Sequence, residues 1–97
     1  MIVKNLNNTS TNKCKCDSWL DHWKEFSGKS VPTTCPVIDC SNKSEVGGHV
    51  QKDSKSDNSW YIIPLCKEDN NKRGECLTVS NSVALVSANI SKTCGKK

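Results

Sequence analysis

The chain has 97 residues, of which 34% are hydrophobic and 25% are charged, and its formal net charge is +4. A chain of this length forms one domain with a small core, which excludes large enzyme scaffolds, and no apolar run approaches the roughly 20 residues of a membrane-spanning helix. Its seven cysteines are therefore expected to stabilise the fold, either as metal ligands or as disulfides.

The redox state of the cellular compartment decides whether the cysteines bind metal or form disulfides. The segment Met1–Leu6 is too short for the apolar core of a signal peptide, and the residues after it are polar. Seven is an odd number, so a pure disulfide framework leaves one thiol unpaired. Both observations favour a reduced, cytoplasmic protein whose cysteines bind metal, with a secreted disulfide-rich domain as the alternative. The Lys-, Asn- and Ser-rich composition fits a small bacterial or phage protein.

The first elements are a tail and an aromatic helix. Residues 1–13 are polar after a short apolar start and predict a flexible tail, which leaves 14–97 as the single domain. A helix follows, because four apolar residues share one helical face: Trp19, Leu20, Trp23 and Phe26. Asp17 or Ser18 is the expected N-cap, and Gly28 is the expected C-terminal glycine. We expect the three tryptophans, Trp19, Trp23 and Trp60, to belong to the core.

A loop and a first strand come next. Residues 29–45 contain prolines and serines and predict a loop with a tight turn between Cys35 and Cys40. A short strand is expected at 46–51. Its adjacent glycines, Gly47 and Gly48, indicate a bulge or a close approach of another backbone.

The second half of the chain predicts a strand, a short helix and a hairpin. The segment WYIIPLC at 60–66 is the strongest strand signal in the chain. The polar residues 67–75 predict a helical turn or short helix that is broken at Gly74. Residues 77–79 and 83–90 predict a C-terminal hairpin.

The order of these pieces resembles a known family. A cysteine pair, the strand GGHV, the strand WYIIPLC and the helix start KEDNN follow one another over about residues 35–75. This arrangement resembles the HNH family, a zinc-supported ββα-metal fold built on a treble clef. The resemblance implies an α+β protein with a small zinc-stabilised ββα-metal core, an aromatic helix before it and a short C-terminal hairpin after it.

The resemblance also implies a structural zinc site. Its ligands are expected from a knuckle and from the first turn of the next helix, here Cys35, Cys40, Cys66 and Asp69. The family usually has Cys at the place of Asp69, and Zn²⁺ accepts a carboxylate there; Cys76 or a water is the alternative fourth ligand. By counting alone, the remaining thiols predict a second zinc site: Cys14, Cys16, Cys94 and Cys76. A disulfide from Cys94 to Cys14 or Cys16 is the alternative.

Two further positions match the catalytic residues of the family. His49 matches the histidine that activates water, and Asn70 matches the last position of the HNH signature. However, Gly48 stands where the family has an acidic metal ligand. The middle Asn of the signature would fall near Tyr61, and the only Asn nearby, Asn58, comes three residues too early.

These departures favour binding over catalysis. We therefore expect a non-catalytic zinc-binding protein that binds a protein partner or nucleic acid, with no organic cofactor and no membrane partner. Arg73 is the sole Arg among the 14 basic residues, which argues against base-specific DNA reading. The alternative is an HNH endonuclease that uses His49 as general base and Mg²⁺ or another divalent ion.

Overall fold

The computed structural model describes residues 1–6, 18–52, 59–72 and 74–88. These residues form an α+β fold with one antiparallel sheet of five strands and two helices, so the predicted fold class is confirmed at this level. The strands are β1 (Ile2–Asn5), β2 (Val46–Lys52), β3 (Trp60–Leu65), β4 (Cys76–Thr78) and β5 (Val86–Ser87), and the helices are α1 (Trp19–Ser27) and α2 (Lys67–Asn70). The spatial order of the strands is β4-β1-β2-β3-β5.

Strand β1 corrects the prediction of a flexible tail over residues 1–13. It lies inside the sheet between β4 and β2, with Val3 and Asn5 buried and Ile2 and Lys4 exposed. The tail prediction is therefore wrong for residues 2–5, while residues 7–13 lie outside the described part of the chain. A strand with one buried aliphatic side chain and one buried amide has almost no hydrophobic pattern of its own, so its polar composition is misleading.

Helix α1 begins and ends as predicted. The Oγ of Ser18 accepts the N–H of Asp21 at 3.1 Å, and Gly28 has a φ of 68° with its N–H donated to the Lys24 carbonyl. Asp17, the other predicted cap, lies outside the described residues. The buried face is rotated from the predicted one: His22 and Trp23 are buried, whereas Phe26 is 42% exposed.

One face of the sheet packs against α1. Trp23 lies in a cluster with Ile62 and Val86, and its Nε1 donates to the Ala84 carbonyl at 2.8 Å. The Nε2 of His22 lies 2.9 Å from the Ser87 carbonyl. Trp60, also predicted for the core, is 40% exposed. It is the first residue of β3 and lies outside the cluster of Trp23, Ile62 and Val86.

The opposite face carries the larger core. Side chains alternate across a strand, so Val50, Ile63 and Leu65 point away from α1. They cluster with Val3, Leu77 and Val79 and with two cysteines, Cys35 and Cys66. The loop 29–45 thus supplies buried side chains to this face.

The predicted C-terminal hairpin is wrong. Strand β4 pairs with β1, and β5 pairs with β3, so the two strands lie at opposite edges of the sheet. Leu77 of β4 belongs to the larger cluster and Val86 of β5 to the cluster under α1. Each short strand therefore gains more burial by extending a different edge than it would by pairing with the other. Residues 89 and 90 lie outside the described part.

Candidate metal centre

Three sulfurs and one carboxylate meet where the loop 29–45 reaches the end of β3 and the start of α2. Their four potential ligand atoms all lie within 4.8 Å of one another, and the residues are Cys35, Cys40, Cys66 and Asp69. Cys40 is half-buried and the other three are buried. The structure thus brings together the four residues predicted for the first zinc site, in a group that could hold a metal ion.

The end of β3 and the first turn of α2 position two of these residues. Cys66 directly follows β3 and is the N-cap of α2, where its Sγ accepts the N–H of Asp69 at 3.3 Å. This capping geometry places residues i and i+3 side by side. As a result, the Cys66 thiol also donates to Oδ2 of Asp69 at 3.2 Å.

The loop 29–45 supplies the other two. Its ends are held together by a bridge between Thr34 and Lys43. Cys35 enters the site beside Cys66, whose backbone N–H donates to the Cys35 Sγ at 3.3 Å. Cys40 closes a turn in which its N–H donates to the Val37 carbonyl at 3.1 Å. The predicted cysteine turn is therefore present and faces α2.

The spacing of the donor atoms matches one tetrahedral ion. Zinc distances of about 2.3 Å to sulfur and about 2.0–2.2 Å to oxygen require sulfurs about 3.8 Å apart and sulfur–oxygen separations of about 3.5 Å. The sulfurs of Cys40 and Cys66 are 3.8 Å apart. Oδ2 of Asp69 lies 3.4 Å from the Cys35 sulfur and 3.2 Å from the Cys66 sulfur. Only small movements are needed for all four residues to bind one ion.

The Cys35 thiol and the Asp69 carboxyl group have pKa values shifted in opposite directions. Burial raises the pKa of the Cys35 thiol to about 12. Burial opposes ionisation of Asp69 too, but hydrogen bonds from Lys72 and from the three thiols outweigh it and lower the pKa of Asp69 to about 2. The carboxylate is therefore ionised at neutral pH, whereas the buried Cys35 thiol keeps its proton until a metal ion displaces it.

Two residues that the sequence reasoning missed hold Asp69 in place. The Nζ of Lys72 lies 3.0 Å from Oδ1 of Asp69, which leaves Oδ2 for the sulfurs. Asn5 of β1 donates through Nδ2 to the carbonyls of Asp69 and Asn70 at 3.2 and 2.9 Å. The i, i+3 spacing of Lys72 is a signal that could have been found. Asn5 is 64 residues from Asp69 in sequence, and no pattern in the sequence indicated this contact.

The predicted second zinc site stays a prediction. Cys14, Cys16 and Cys94 lie outside the described residues. Cys76 lies exposed on β4 and is not a member of the four-residue group. The four cysteines that the structure describes all carry free thiols, so the disulfide alternative gains no support from them.

The two predicted catalytic residues do not share a site. His49 is 5% exposed, and its ring packs edge-on against Trp19 on the α1 side of β2, with centroids 4.5 Å apart. The preceding residue faces the other side, since a Cβ on Gly48 would lie 2.9 Å from Oδ1 of Asn70. His49 and Asn70 therefore lie on opposite faces of the sheet.

His49 is also a poor base in this position. Burial, and to a lesser extent the neighbouring His22, lowers the pKa of His49 to about 4. Its Nε2 is buried and has no hydrogen-bond partner among the described residues. This environment keeps the imidazole neutral and away from the carboxylate of Asp69.

No protein-family model matches the chain, and it matches neither a curated protein nor a solved structure. The resemblance to the HNH family accordingly stays a prediction that rests on short motifs. Neither α1 nor α2, the helices of the described residues, is long and apolar enough to cross a membrane.

Proposed function

We propose that this chain is a small non-catalytic zinc-binding protein with an HNH-like core, in which one structural Zn²⁺ is bound by Cys35, Cys40, Cys66 and Asp69. The observation that carries the proposal is that these four donor atoms lie within 4.8 Å of one another, with the sulfurs of Cys40 and Cys66 3.8 Å apart. Thiolate ligands favour zinc over hard cations such as Mg²⁺ and Ca²⁺. Four protein ligands also leave no open coordination position, which is the pattern of structural rather than catalytic zinc.

The ion has a structural task in this fold. The loop 29–45 forms only isolated bridges, and it contributes Cys35 to the core that lies under β2 and β3. A metal bound by the loop and by α2 ties both to the sheet. Binding free energy of such a site contributes directly to folding. Thiolate ligation also suits the reduced, cytoplasmic setting that we propose for the protein.

We further propose that the protein acts by binding a protein partner or nucleic acid. The closed metal site offers no position for a substrate, and His49 lies on the other face of the sheet. The surface has side chains suited to contacts: Lys67 is exposed on α2, and Trp60 is 40% exposed at the start of β3. The ammonium group of Lys67 can bind a phosphate, and the indole of Trp60 can stack on a base or pack in a protein interface.

Zinc affinity tests the metal site. The full chain is titrated against a chromophoric chelator, alongside Cys66→Ser and, as the matched control, Cys76→Ser, which changes an exposed cysteine outside the group. We expect wild type and Cys76→Ser to hold this zinc with the same affinity, and Cys66→Ser to bind it more than about 100-fold more weakly. Equal zinc affinity in Cys66→Ser and wild type would refute the proposed site.

Binding of a labelled DNA duplex tests the partner class. Salt-sensitive binding by the zinc-loaded chain that is lost in Cys66→Ser assigns the partner to nucleic acid, because phosphate contacts release counterions. Absence of binding at low salt assigns it to protein. Cleavage of the duplex with Mg²⁺, Mn²⁺ or Ni²⁺ that disappears in His49→Ala would contradict the non-catalytic proposal and favour the nuclease.

A further inference from the structure

We propose that Cys40 and Cys66 form an oxidation site at which a hydroperoxide joins the two sulfurs in a disulfide and so dismantles the metal centre. The release of metal rests on the proposed function, whereas the choice of the two cysteines that join rests on the geometry of their sulfurs. The same four residues would then be both a structural site and a sensor of peroxide.

The two sulfurs are already in contact. Sγ of Cys40 and Sγ of Cys66 are 3.8 Å apart, and a disulfide bond is about 2.05 Å long. The pair therefore has to close by about 1.8 Å from the observed 3.8 Å. Cys40 lies in a turn whose neighbouring side chain, Ile38, is 51% exposed. The backbone of the turn is anchored to β4 by the Ile38 N–H, which donates to the Thr78 carbonyl at 2.8 Å, so rotation of the Cys40 and Cys66 side chains has to supply the closure.

Access to solvent selects Cys40 as the thiol that reacts first. Cys35 and Cys66 are 3% and 2% exposed, whereas Cys40 is half-buried. A small polar oxidant reaches the Cys40 sulfur without opening the core. Susceptibility to oxidation follows exposure as well as thiolate character, and metal ligation supplies the thiolate.

Proximity selects Cys66 as the thiol that resolves the oxidised intermediate. The Cys66 sulfur is in contact with the Cys40 sulfur at 3.8 Å. The Cys35 sulfur is instead held by the backbone N–H of Cys66 at 3.3 Å and by Oδ2 of Asp69 at 3.4 Å. Cys35 is thus buried and held by these two contacts.

The chemistry balances with one peroxide for each disulfide. The Cys40 thiolate attacks a peroxide oxygen, the S–O bond forms, the O–O bond breaks, and hydroxide or an alkoxide leaves and takes up a proton. The Cys66 thiolate then attacks the Cys40 sulfur, the S–S bond forms, and the S–O bond breaks with loss of hydroxide. The two sulfurs lose two electrons in total, which reduce the hydroperoxide to water, or to water and an alcohol.

Loss of the metal follows from the count of ligands. The disulfide removes two of the four donors and leaves Cys35 and Asp69, which are too few to complete a tetrahedral zinc site. Because the ion ties the loop 29–45 to α2, its departure loosens this part of the fold. A dithiol reductant with fresh zinc reverses the change.

The test uses the full zinc-loaded chain treated with hydrogen peroxide. Zinc release is followed with a chromophoric chelator, remaining thiols are alkylated, and disulfides are mapped by mass spectrometry of unreduced peptides. We expect two thiols lost for each zinc released, a peptide that joins Cys40 to Cys66, and recovery with dithiothreitol. Cys76→Ser, which changes an exposed cysteine outside the group, should give the same peptide that joins Cys40 to Cys66, and Cys35→Ala should still form this disulfide.

Two results of the peroxide experiment would contradict the proposed oxidation site. A main disulfide that joins any other pair, or zinc release accompanied only by sulfinic or sulfonic acids, would overturn the inference. Mapping is repeated on metal-free chain, which separates the two proposals. A chain that binds no zinc but still joins Cys40 to Cys66 overturns the proposed function and leaves the oxidation site standing.

Discussion

Two adjacent glycines of β2 mark how closely the sheet is packed on both faces. A Cβ on Gly47 would lie 2.6 Å from the carbonyl carbon of Trp19 and 2.7 Å from the N of Leu20. A Cβ on Gly48 would lie 2.4 Å from Cδ1 of Leu65. The close backbone approach predicted for this pair is confirmed, and Gly47 is the residue that lets α1 rest on β2.

Alanine substitutions at these glycines should differ in cost. At Gly47 the new methyl meets helix backbone, which cannot rotate aside, so Gly47→Ala is expected to destabilise the protein by about 3 kcal/mol or more. At Gly48 it meets the end of a leucine side chain, and Gly48→Ala is expected to cost about 1–2 kcal/mol. Urea unfolding measures both.

Gly28→Ala is the matched control for these substitutions. The space around Gly28 is open, but its φ of 68° is left-handed, so the cost comes from the backbone alone, at about 1 kcal/mol. A Gly48→Ala protein that is less stable than Gly47→Ala would contradict the packing described for β2.

His49 predicts a dependence of stability on pH. The folded chain keeps this imidazole neutral down to a pH of about 4, whereas the unfolded chain protonates it near the ordinary pKa of 6.5. Unfolding therefore takes up a proton between these pH values, and the free energy of unfolding falls as the pH falls. The expected slope from His49 approaches about 1.4 kcal/mol per pH unit inside this window.

Replacing the group isolates its contribution. His49→Leu removes the titrating ring, so denaturant unfolding of this variant across the same window should show a shallower fall than wild type by about one proton. The metal ligands are present in both proteins, so their contribution cancels in the difference. Equal slopes in the two proteins would show that His49 is not held neutral by the fold.

Between elements, a single amide connects β1 to the helix that carries a metal ligand. Asn5 is buried, and its Nδ2 donates to the carbonyls of Asp69 and Asn70 in α2. The strand therefore supplies hydrogen bonds to the end of a four-residue helix that is too short to be stable alone.

Asn5→Ala should weaken both the fold and the metal site. The substitution leaves buried carbonyls without their donor, which costs about 1–3 kcal/mol in unfolding free energy. Because α2 holds Asp69, zinc affinity should fall by about 10-fold or more. The control is Asn71→Ala, which removes the exposed side chain of the C-cap residue of the same helix. Equal effects of the two substitutions on zinc affinity would refute this link.

Local sequence patterns predicted the helices and strands better than they predicted which of these elements pack or pair together. Helix α1 has its caps, Ser18 and Gly28, in sequence, and β2, β3 and α2 follow from runs of adjacent residues. The place of β1 depends on Asn5 meeting α2, and the separation of β4 from β5 depends on two different cores. Such contacts join residues that are far apart in sequence, and no periodicity records them.

For the whole molecule, the sequence was enough to predict the four possible metal ligands, but not the positions of the two predicted catalytic residues. The four residues of the group were predicted from the resemblance of residues 35–75 to the HNH family, in which a cysteine turn and the start of a helix supply the zinc ligands. The separation of His49 from Asn70 depends on which face of β2 each side chain meets. The short motif that suggested catalysis carries no information about that face.

Metal content of the whole molecule tests the central claim most directly. The full chain is purified without chelator, and its native mass is compared with its mass after acid unfolding, for wild type and for Cys66→Ser. The account predicts that unfolding removes zinc from wild type with its thiols intact, and that Cys66→Ser carries one zinc fewer. A wild-type mass that shows no bound metal, or a Cys66→Ser protein with the same metal content as wild type, would contradict it.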